Sequence, residues 1–430
     1  MSAIPGTKSF YGWPLLFFLW VILGINFALT NYGMSILNVY LGDELNFSRS
    51  ALGFGYSVYM LMTGLPGPLV AKLIDRVGIR YTLVIGNIML VLGAISMATI
   101  VTSPLMLVLI GGILMGLAHS NGGPIPVQAS VTRWFSRRRS IAMALVLSGA
   151  SAGGMIFPSM IGYIVANTDS WRFAWWVIAG LAVISTLISF FLVRERPEEV
   201  GQYPDGDAAS SGESAPVTNG KPRSRVYQTT EDWSVHDVLR APAFWLLLCC
   251  SISVVASYSM FLGQGVLHIR DLGHSIELAS YLFSFSVGSG LVARLVAGYL
   301  GDKIDAKLLW VVGLLSQGLG LAIFAQAHTL VLLYVAVACL GVGSGIAILS
   351  IVLVFGNWFG PRAAPFVFGY GSAFAAAFGA LIPVIAGILF DMTGSFIPIF
   401  YGISGLSILT AITLAMLKPP RIARKAGKLA

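Results

Sequence analysis

One basic residue, Arg294, lies deep inside a long apolar run, FSFSVGSGLVARLVAGYLGD, and precedes Asp302 by eight residues. On a helix that separation places it about 12 Å deeper than the aspartate. A charge at mid-membrane depth costs at least about 2.5–3.5 kcal/mol, so it needs a partner or a function. Because all eighteen acids fall in loops, tails or at the ends of apolar runs, the partner is a backbone carbonyl, the interface reached by snorkelling, or an anionic ligand.

The guanidinium of Arg294 is a planar fork that suits a carboxylate. We therefore hypothesise that Arg294 binds the carboxylate of a small anion, with a structural, snorkelling arginine as the alternative. His119 could carry a proton or donate a hydrogen bond to the ligand, and its structural alternative is a bond between helices. For Asn31 and Asn121 the structural alternative is likewise a hydrogen bond between helices. For the tyrosines the structural alternative is packing against neighbouring side chains. The candidate ligand-binding residues are Arg294, His119, Asn121, Asn31, Tyr56, Tyr258, Tyr370 and Ser372.

The composition indicates which kind of element holds these side chains. Of the 430 residues, 57% are hydrophobic and only 10% are charged, whereas soluble domains carry about 25% charged residues. The chain therefore exposes apolar surface to lipid. The three cysteines, Cys249, Cys250 and Cys339, lie in apolar runs without metal-ligand spacing and predict neither a disulfide framework nor a metal site. We expect no cofactor.

Twelve apolar runs are long enough to cross a bilayer, which takes about 20 residues. The sequence therefore predicts an all-α membrane protein with twelve transmembrane helices. The predicted spans are 12–36, 51–73, 81–101, 104–132, 140–166, 172–193, 242–268, 278–300, 307–327, 329–357, 364–389 and 394–417.

The distribution of basic residues predicts the orientation of the spans, since loops on the cytoplasmic side are enriched in Lys and Arg. Twenty-two of the 26 Lys and Arg residues fall on the side of the two termini, and only Arg49, Arg172 and Arg270 fall on the other side. Both termini are thus predicted to be cytoplasmic, in a plasma membrane such as the bacterial inner membrane. The net charge of +8 reflects this asymmetry and does not indicate a nucleic-acid partner.

The only long polar stretch, rich in Gly, Ser, Pro and Asp, follows the sixth span and predicts a linker that is largely disordered. The predicted organisation is a six-helix bundle at 1–196, a cytoplasmic linker at 197–240 ending in a short interfacial helix, a second six-helix bundle at 241–418, and a basic tail at 419–430. We expect a monomer in the lipid bilayer.

Two landmarks recur in the two halves. AKLIDRVGIRYTL at 71–83 matches GYLGDKIDAKLL at 298–309, with Asp75 and Asp302 separated by 227 residues. RWFSRRR at 133–139 matches NWFGPRA at 357–363, with Trp134 and Trp358 separated by 224 residues. Two independent landmarks at nearly one offset indicate a duplicated six-helix unit, as expected of a carrier with a central site and alternating access.

The first landmark resembles the loop signature G-x-L-x-D-R-x-G-R-R of the major facilitator superfamily, departing from it at Ala71 and Ile79. The resemblance implies the major facilitator fold of two pseudo-symmetric bundles. It also implies a cytoplasmic charge clasp that breaks and re-forms during transport. The residues that the resemblance assigns to the clasp are Asp75, Arg76, Gly78, Arg80, Asp302 and Lys303.

The segment Arg294, Gly298, Asp302 resembles the eighth span of monocarboxylate porters and oxalate:formate antiporters. FYGW at 10–13 and the basic run at 133–144 also resemble bacterial members of that group. In both families the arginine binds substrate carboxylate. Animal porters carry an aspartate where this chain has Gly290, and oxalate carriers carry a lysine that is absent from 368–383. A single positive charge favours a monoanion.

The predicted function is therefore secondary active transport of a small monocarboxylate, similar to lactate or pyruvate. Proton coupling is what the resemblance implies, with the proton carried on His119 or on the substrate. The alternatives are an organic anion exchanger, a drug or cation efflux carrier, and a membrane sensor that does not transport. A cation carrier would be expected to hold an acid in its cavity. Enzyme motifs are absent from the predicted spans, so we do not expect an enzyme.

Overall fold

The computed structural model describes residues 10–135, 138–206, 227, 229, 231, 233–301 and 304–421. These residues form helices joined by short turns, and no strand occurs among them. The predicted all-α class is confirmed. The helices before the linker are α1 (Gly12–Leu45), α2 (Arg49–Gly64), α3 (Gly67–Thr99), α4 (Pro104–Met106), a π-helical segment (Leu107–Leu114), α5 (Met115–Gly122), α6 (Pro124–Trp134), α7 (Arg139–Thr168) and α8 (Trp171–Leu192).

The remaining elements follow α8. Two short 3-10 turns, Pro197–Val200 and Pro204–Gly206, occupy the beginning of the predicted linker. The helices after the linker are α9 (Val235–Arg240), α10 (Pro242–Asp271), α11 (Ile276–Gly301), α12 (Ala306–Ala325), α13 (Leu330–Thr393) and α14 (Ile397–Met416). Ten helical segments of the described chain are long and apolar enough to cross a membrane, and a shorter apolar helix covers Ala377–Thr393.

The second predicted span, 51–73, is divided in the structure. α2 ends at Gly64 and α3 begins at Gly67, because Pro66 and Pro68 lack the N–H groups that would continue the helical hydrogen bonds. The predicted loop at 71–83 lies within α3, which is interrupted at Gly78 with φ 90° and ψ 168°. A side chain disfavours that conformation, so glycine marks the turn between the two predicted spans.

A second glycine plays the same part in the long helix α13. Its 64 residues are interrupted at Gly360, with φ 73° and ψ 170°, between the predicted spans 329–357 and 364–389. The helix therefore changes direction where the sequence predicted a loop.

Close contacts divide the chain into two compact units. The first comprises Met1–Met34, Met62–Phe157 and Ile164–Gly220, and the second comprises Ser35–Leu61, Pro158–Tyr163 and Lys221–Ala430. These units do not coincide with the two halves of the sequence, since the end of α1, a short stretch of α7 and most of α2 belong to the second unit.

Each unit has its own apolar core built around a landmark tryptophan. Trp134 is completely buried in the first core, with Leu19 and Leu83, and its indole N–H donates to the Arg194 carbonyl at 3.2 Å. Trp358 is buried in the second core, with Phe244 and Trp310. The repeated landmark of the sequence therefore corresponds to a repeated packing position.

Candidate functional site

The backbone around His119 departs from regular α-helix on both sides. The π-helical segment Leu107–Leu114 precedes α5, and Gly123 (φ −112°, ψ −134°) separates α5 from Pro124 at the start of α6. Gly86 of α3 lies against this break, where a Cβ would be 2.5 Å from the Gly122 Cα. Wide turns of this kind are frequent at functional sites, and this one brings His119 against α1.

His119 is buried and hydrogen-bonded. Its Nδ1 lies 2.9 Å from the Thr30 Oγ1, and that hydroxyl donates to the Asn26 carbonyl at 2.7 Å. With its proton used there, the Thr30 oxygen can accept a hydrogen bond from Nδ1–H of His119. The Phe27 ring lies 5.2 Å from the imidazole, centroid to centroid.

The two asparagine candidates bond to their own helices. Asn31 donates to the Phe27 carbonyl at 2.9 Å, and Asn121 donates to the Leu117 carbonyl at 2.8 Å. Each bond spans one helical turn and uses one N–H of the amide, so the second N–H and the amide oxygen take no part in it.

Asn87 forms a buried polar network that the sequence analysis missed. It donates to the Ser189 hydroxyl at 3.2 Å and accepts from Ser185 at 3.0 Å and from Asn26 at 3.4 Å. The sequence did contain a signal for this network, because Asn87 is an amide side chain inside a long apolar run. The bonds join α1, α3 and α8, which is a structural role.

Arg294 lies in the second compact unit, half-buried on α11 and seven residues before that helix ends at Gly301. α11 crosses α13 at very short range. A Cβ on Gly290 would lie 2.8 Å from the Gly341 carbonyl oxygen, so any side chain at this position would require the two backbones to move apart. Arg294 follows Gly290 by four residues and lies on the same side of α11.

An apolar groove of about 420 Å³ lies along the same stretch of α11. It is lined by Ser289, Val292, Ala293, Val296, Ala297, Leu300, Leu309, Val342 and Ile346. Val292 and Val296 are more than half exposed, which is expected of a surface that faces lipid tails.

The predicted tyrosines differ in burial. Tyr56 is completely buried, with its ring 5.6 Å from that of Tyr59, while Tyr258 is half-buried. Both belong to the second unit with Arg294, whereas His119, Asn121 and Asn31 belong to the first. The side chains of Tyr370 and Ser372 lie outside the described residues.

An acidic side chain outside the predicted clasp, in a stretch that the sequence places in a loop, contacts the backbone of a predicted clasp residue. Glu195, just after α8, accepts from the backbone N–H of Ile79 at 2.7 Å and of Arg80 at 3.2 Å through Oε2, and it pairs with Arg133. A carboxylate at a helix N-terminus is favourable, so Glu195 caps the segment of α3 that begins after Gly78.

Among the predicted clasp residues, Asp75 and Arg76 are exposed. The Arg80 guanidinium lies 5.0 Å from the centroid of the Phe190 ring. Asp302 and Lys303 lie outside the described residues. Within the described part of the chain, no group of three or more His, Cys, Asp or Glu side chains could hold a metal ion.

Comparison with known proteins identifies the family. The sequence model of the Major Facilitator Superfamily matches residues 16–292 and 265–430. The chain belongs to the major facilitator superfamily. Its membrane-spanning helices and its similarity to carriers make it a multi-pass membrane transporter, in a family of transporters rather than enzymes.

Two relatives and one solved structure illustrate the range of similarity. The chain is 25% identical to the MFS transporter asaE of Aspergillus flavus over 348 residues, 79% of this chain and 71% of the relative. It is 27% identical to monocarboxylate transporter 13 of Rattus norvegicus, over 65% of this chain and 59% of that protein. The crystal structure of a mutant of the nucleoside transporter NupG superposes with a TM-score of 0.71 at 15% identity, covering 94% of this chain and all of that one.

Proposed function

We propose that this major facilitator carrier moves a small organic monocarboxylate across the plasma membrane by alternating access, with both termini in the cytoplasm. The observation that carries the proposal is Arg294, half-buried on α11 in a sequence that has no acid within its apolar runs. A fixed guanidinium there attracts a carboxylate and disfavours a cation. The similarity to a monocarboxylate transporter in the rat supports the same substrate class.

The close helix crossing at Gly290 and the single positive charge of Arg294 together favour a substrate that carries one carboxylate. An acid at Gly290, one helical turn before Arg294, would force α11 and α13 apart at their crossing. One arginine binds one carboxylate bidentately, so a dianion would carry an uncompensated second charge into the membrane. The selectivity for monoanions thus follows from the charge balance of the loaded site.

The test is uptake of radiolabelled mono- and dicarboxylates by proteoliposomes containing the parent, Arg294→Ala or Arg294→Lys. We expect Arg294→Ala to lose about tenfold or more in monocarboxylate uptake, the loss expected when a charged hydrogen-bond pair is removed. Arg294→Lys should recover only part of the uptake, because an ammonium lacks the planar fork.

Arg172→Ala is the matched control. Arg172 lies at the start of α8, with its guanidinium 4.4 Å from the Trp171 ring centroid, and its removal should leave uptake unchanged. Parental uptake by Arg294→Ala would refute the site assignment. Movement of cations or neutral drugs alone would favour the efflux alternative, and one-for-one exchange without net uptake would favour the anion exchanger.

A further inference from the structure

The first halves of α1 and α7 border a groove on the surface of the first compact unit. The groove has a volume of about 280 Å³. It is lined by Trp13, Leu16, Phe17, Trp20, Leu145 and Ser148. On each helix these residues recur at intervals of three or four positions, so they form one face of α1 and one face of α7.

Glycines bring the two helices together just beyond the groove. A Cβ on Gly149 would lie 2.5 Å from the Trp20 carbonyl oxygen, and one on Gly24 would lie 3.0 Å from the Gly149 carbonyl oxygen. Gly153, one turn further along α7, contacts Gly24, one turn further along α1. The helices therefore run in the same direction, and both begin on the side of the two termini.

The polar groups along the groove are hydrogen-bonded to one another. The Trp20 indole N–H donates to the Ser148 hydroxyl at 3.1 Å, and that hydroxyl donates to the Leu145 carbonyl at 2.7 Å. The Phe17 and Trp20 rings stack with their centroids 6.2 Å apart and their planes at 10°. The groove thus presents a wall of stacked rings, which suits a hydrocarbon chain better than a polar ligand.

A basic residue lies at the end of the groove nearest the termini. Arg138 immediately precedes α7 and is exposed. It precedes Leu145 by seven residues, or two turns, which places it on the same face about 10 Å nearer the start of α7. Arg137 and Arg139 flank it in the sequence. Trp13, in the first turn of α1, is of the residue type that is enriched where a membrane meets water.

One acid lies beside this basic end. The Asp205 carboxylate accepts from the backbone N–H of Arg138 at 3.3 Å. Its negative charge opposes the approach of an anion to Arg138, so removing that charge tests the sign of the ligand.

We propose that the α1–α7 groove binds one anionic phospholipid of the cytoplasmic leaflet, with an acyl chain against Phe17, Trp20 and Leu145 and the phosphate at Arg138. That leaflet carries negatively charged lipids, which basic residues near the membrane surface attract. A guanidinium also binds phosphate bidentately. The site uses the orientation proposed above and is independent of the transported substrate.

The test is native mass spectrometry of the whole chain, released from detergent micelles after incubation with phosphatidylglycerol or with phosphatidylcholine of the same acyl chains. The first phosphatidylglycerol should bind about fivefold more tightly than the first phosphatidylcholine, the preference expected from one basic residue near the headgroup. Equal affinities of the parent for the two lipids would overturn the proposal. The measurement needs no substrate, so failure of the carboxylate assignment leaves it intact.

Arg138→Gln tests the headgroup contact. It should lose most of the preference for phosphatidylglycerol and leave the affinity for phosphatidylcholine unchanged. The matched control is Arg240→Gln, because Arg240 is an exposed arginine at the end of α9 in the second unit. The control should keep the parental preference, and a parental preference in Arg138→Gln would refute the site.

Asp205→Asn tests the sign of the charge that the site accepts. It should tighten phosphatidylglycerol binding by about two- to fivefold, because a carboxylate near Arg138 is neutralised. A purely structural effect of losing the bond to the Arg138 N–H would weaken binding instead. Weaker or unchanged binding in this variant would therefore contradict the headgroup position.

Leu145→Trp tests the seat of the acyl chain. Leu145 is 47% exposed, and an indole at this position fills the groove, so the affinity for both lipids should fall by about tenfold. The matched control is Leu187→Trp, at a leucine of α8 that is 50% exposed, and it should bind lipid as the parent does. Parental binding by Leu145→Trp, or an equal loss in both tryptophan variants, would overturn the phospholipid site. Loss in Arg138→Gln alone would indicate a soluble anion and would overturn it as well.

Discussion

At the scale of single residues, one hydrogen bond joins His119 to α1. The Thr30 hydroxyl donates to the Asn26 carbonyl, and its oxygen lies 2.9 Å from Nδ1 of His119. The sequence predicted His119 as a candidate but not its partner, because Thr30 and His119 are 89 residues apart.

We predict that His119→Asn abolishes proton-driven accumulation of substrate while exchange of substrate across the membrane continues. The Asn amide replaces the Nδ1 donor to Thr30 but has no nitrogen that takes up a proton near neutral pH. The measurement is uptake into proteoliposomes with an imposed proton gradient, compared with exchange at equal pH.

The matched control is His268→Gln. His268 is also buried, and its Nε2 lies 3.0 Å from the Phe324 carbonyl oxygen, in contact with the Phe324 and Phe400 rings. Its replacement should leave accumulation intact. Full accumulation by His119→Asn would instead assign the proton to the substrate or to another group.

At the scale of elements, the positions of helices follow the apolar runs closely, and the breaks within them follow proline and glycine. The run at 51–73 is divided after Gly64 by Pro66 and Pro68, and α3 and α13 turn at Gly78 and Gly360. Sequence alone predicted the spans because length and hydropathy act along the chain. It did not predict that α1 extends to Leu45, since polar residues continue a helix when tertiary contacts support them.

Glu195 shows how one side chain stabilises several elements. It caps the second segment of α3 and pairs with Arg133 at the end of α6. We predict that Glu195→Gln destabilises the folded transporter by about 1–2 kcal/mol, because charged hydrogen bonds to backbone N–H groups are lost. The measurement is the apparent melting temperature in detergent.

Glu198→Gln serves as the control, because Glu198 is exposed in the turn that follows. It should melt at the parental temperature. Equal melting temperatures for the parent, Glu195→Gln and Glu198→Gln would contradict the capping role.

At the scale of the whole molecule, the basic residues predict the orientation of the chain in the membrane. We expect a single cysteine placed at Arg421, in a chain whose native cysteines are replaced, to react with an impermeant thiol reagent only in inside-out vesicles. A cysteine at Ser170, in the turn between α7 and α8, should react only in right-side-out vesicles. The opposite pattern would invert the proposed topology.

The membrane class, the spans, the duplication and the unusual position of Arg294 are all predicted from the amino-acid sequence alone. Each of these depends on composition, periodicity or spacing along the chain, and the buried Trp134 and Trp358 show that a repeated motif carries a repeated packing role. The charge of Arg294 stands out in the sequence because a charged side chain inside the membrane costs free energy, so apolar runs seldom contain one.

Which polar groups meet is seen only in the folded chain. The Thr30–His119 bond, the Glu195 cap and the contact of Gly149 with Trp20 join residues far apart in the sequence. These contacts depend on the rotation of each helix about its axis and on how closely two helices approach. An apolar run fixes neither quantity, because a helix that is apolar on all sides satisfies the membrane in any rotation.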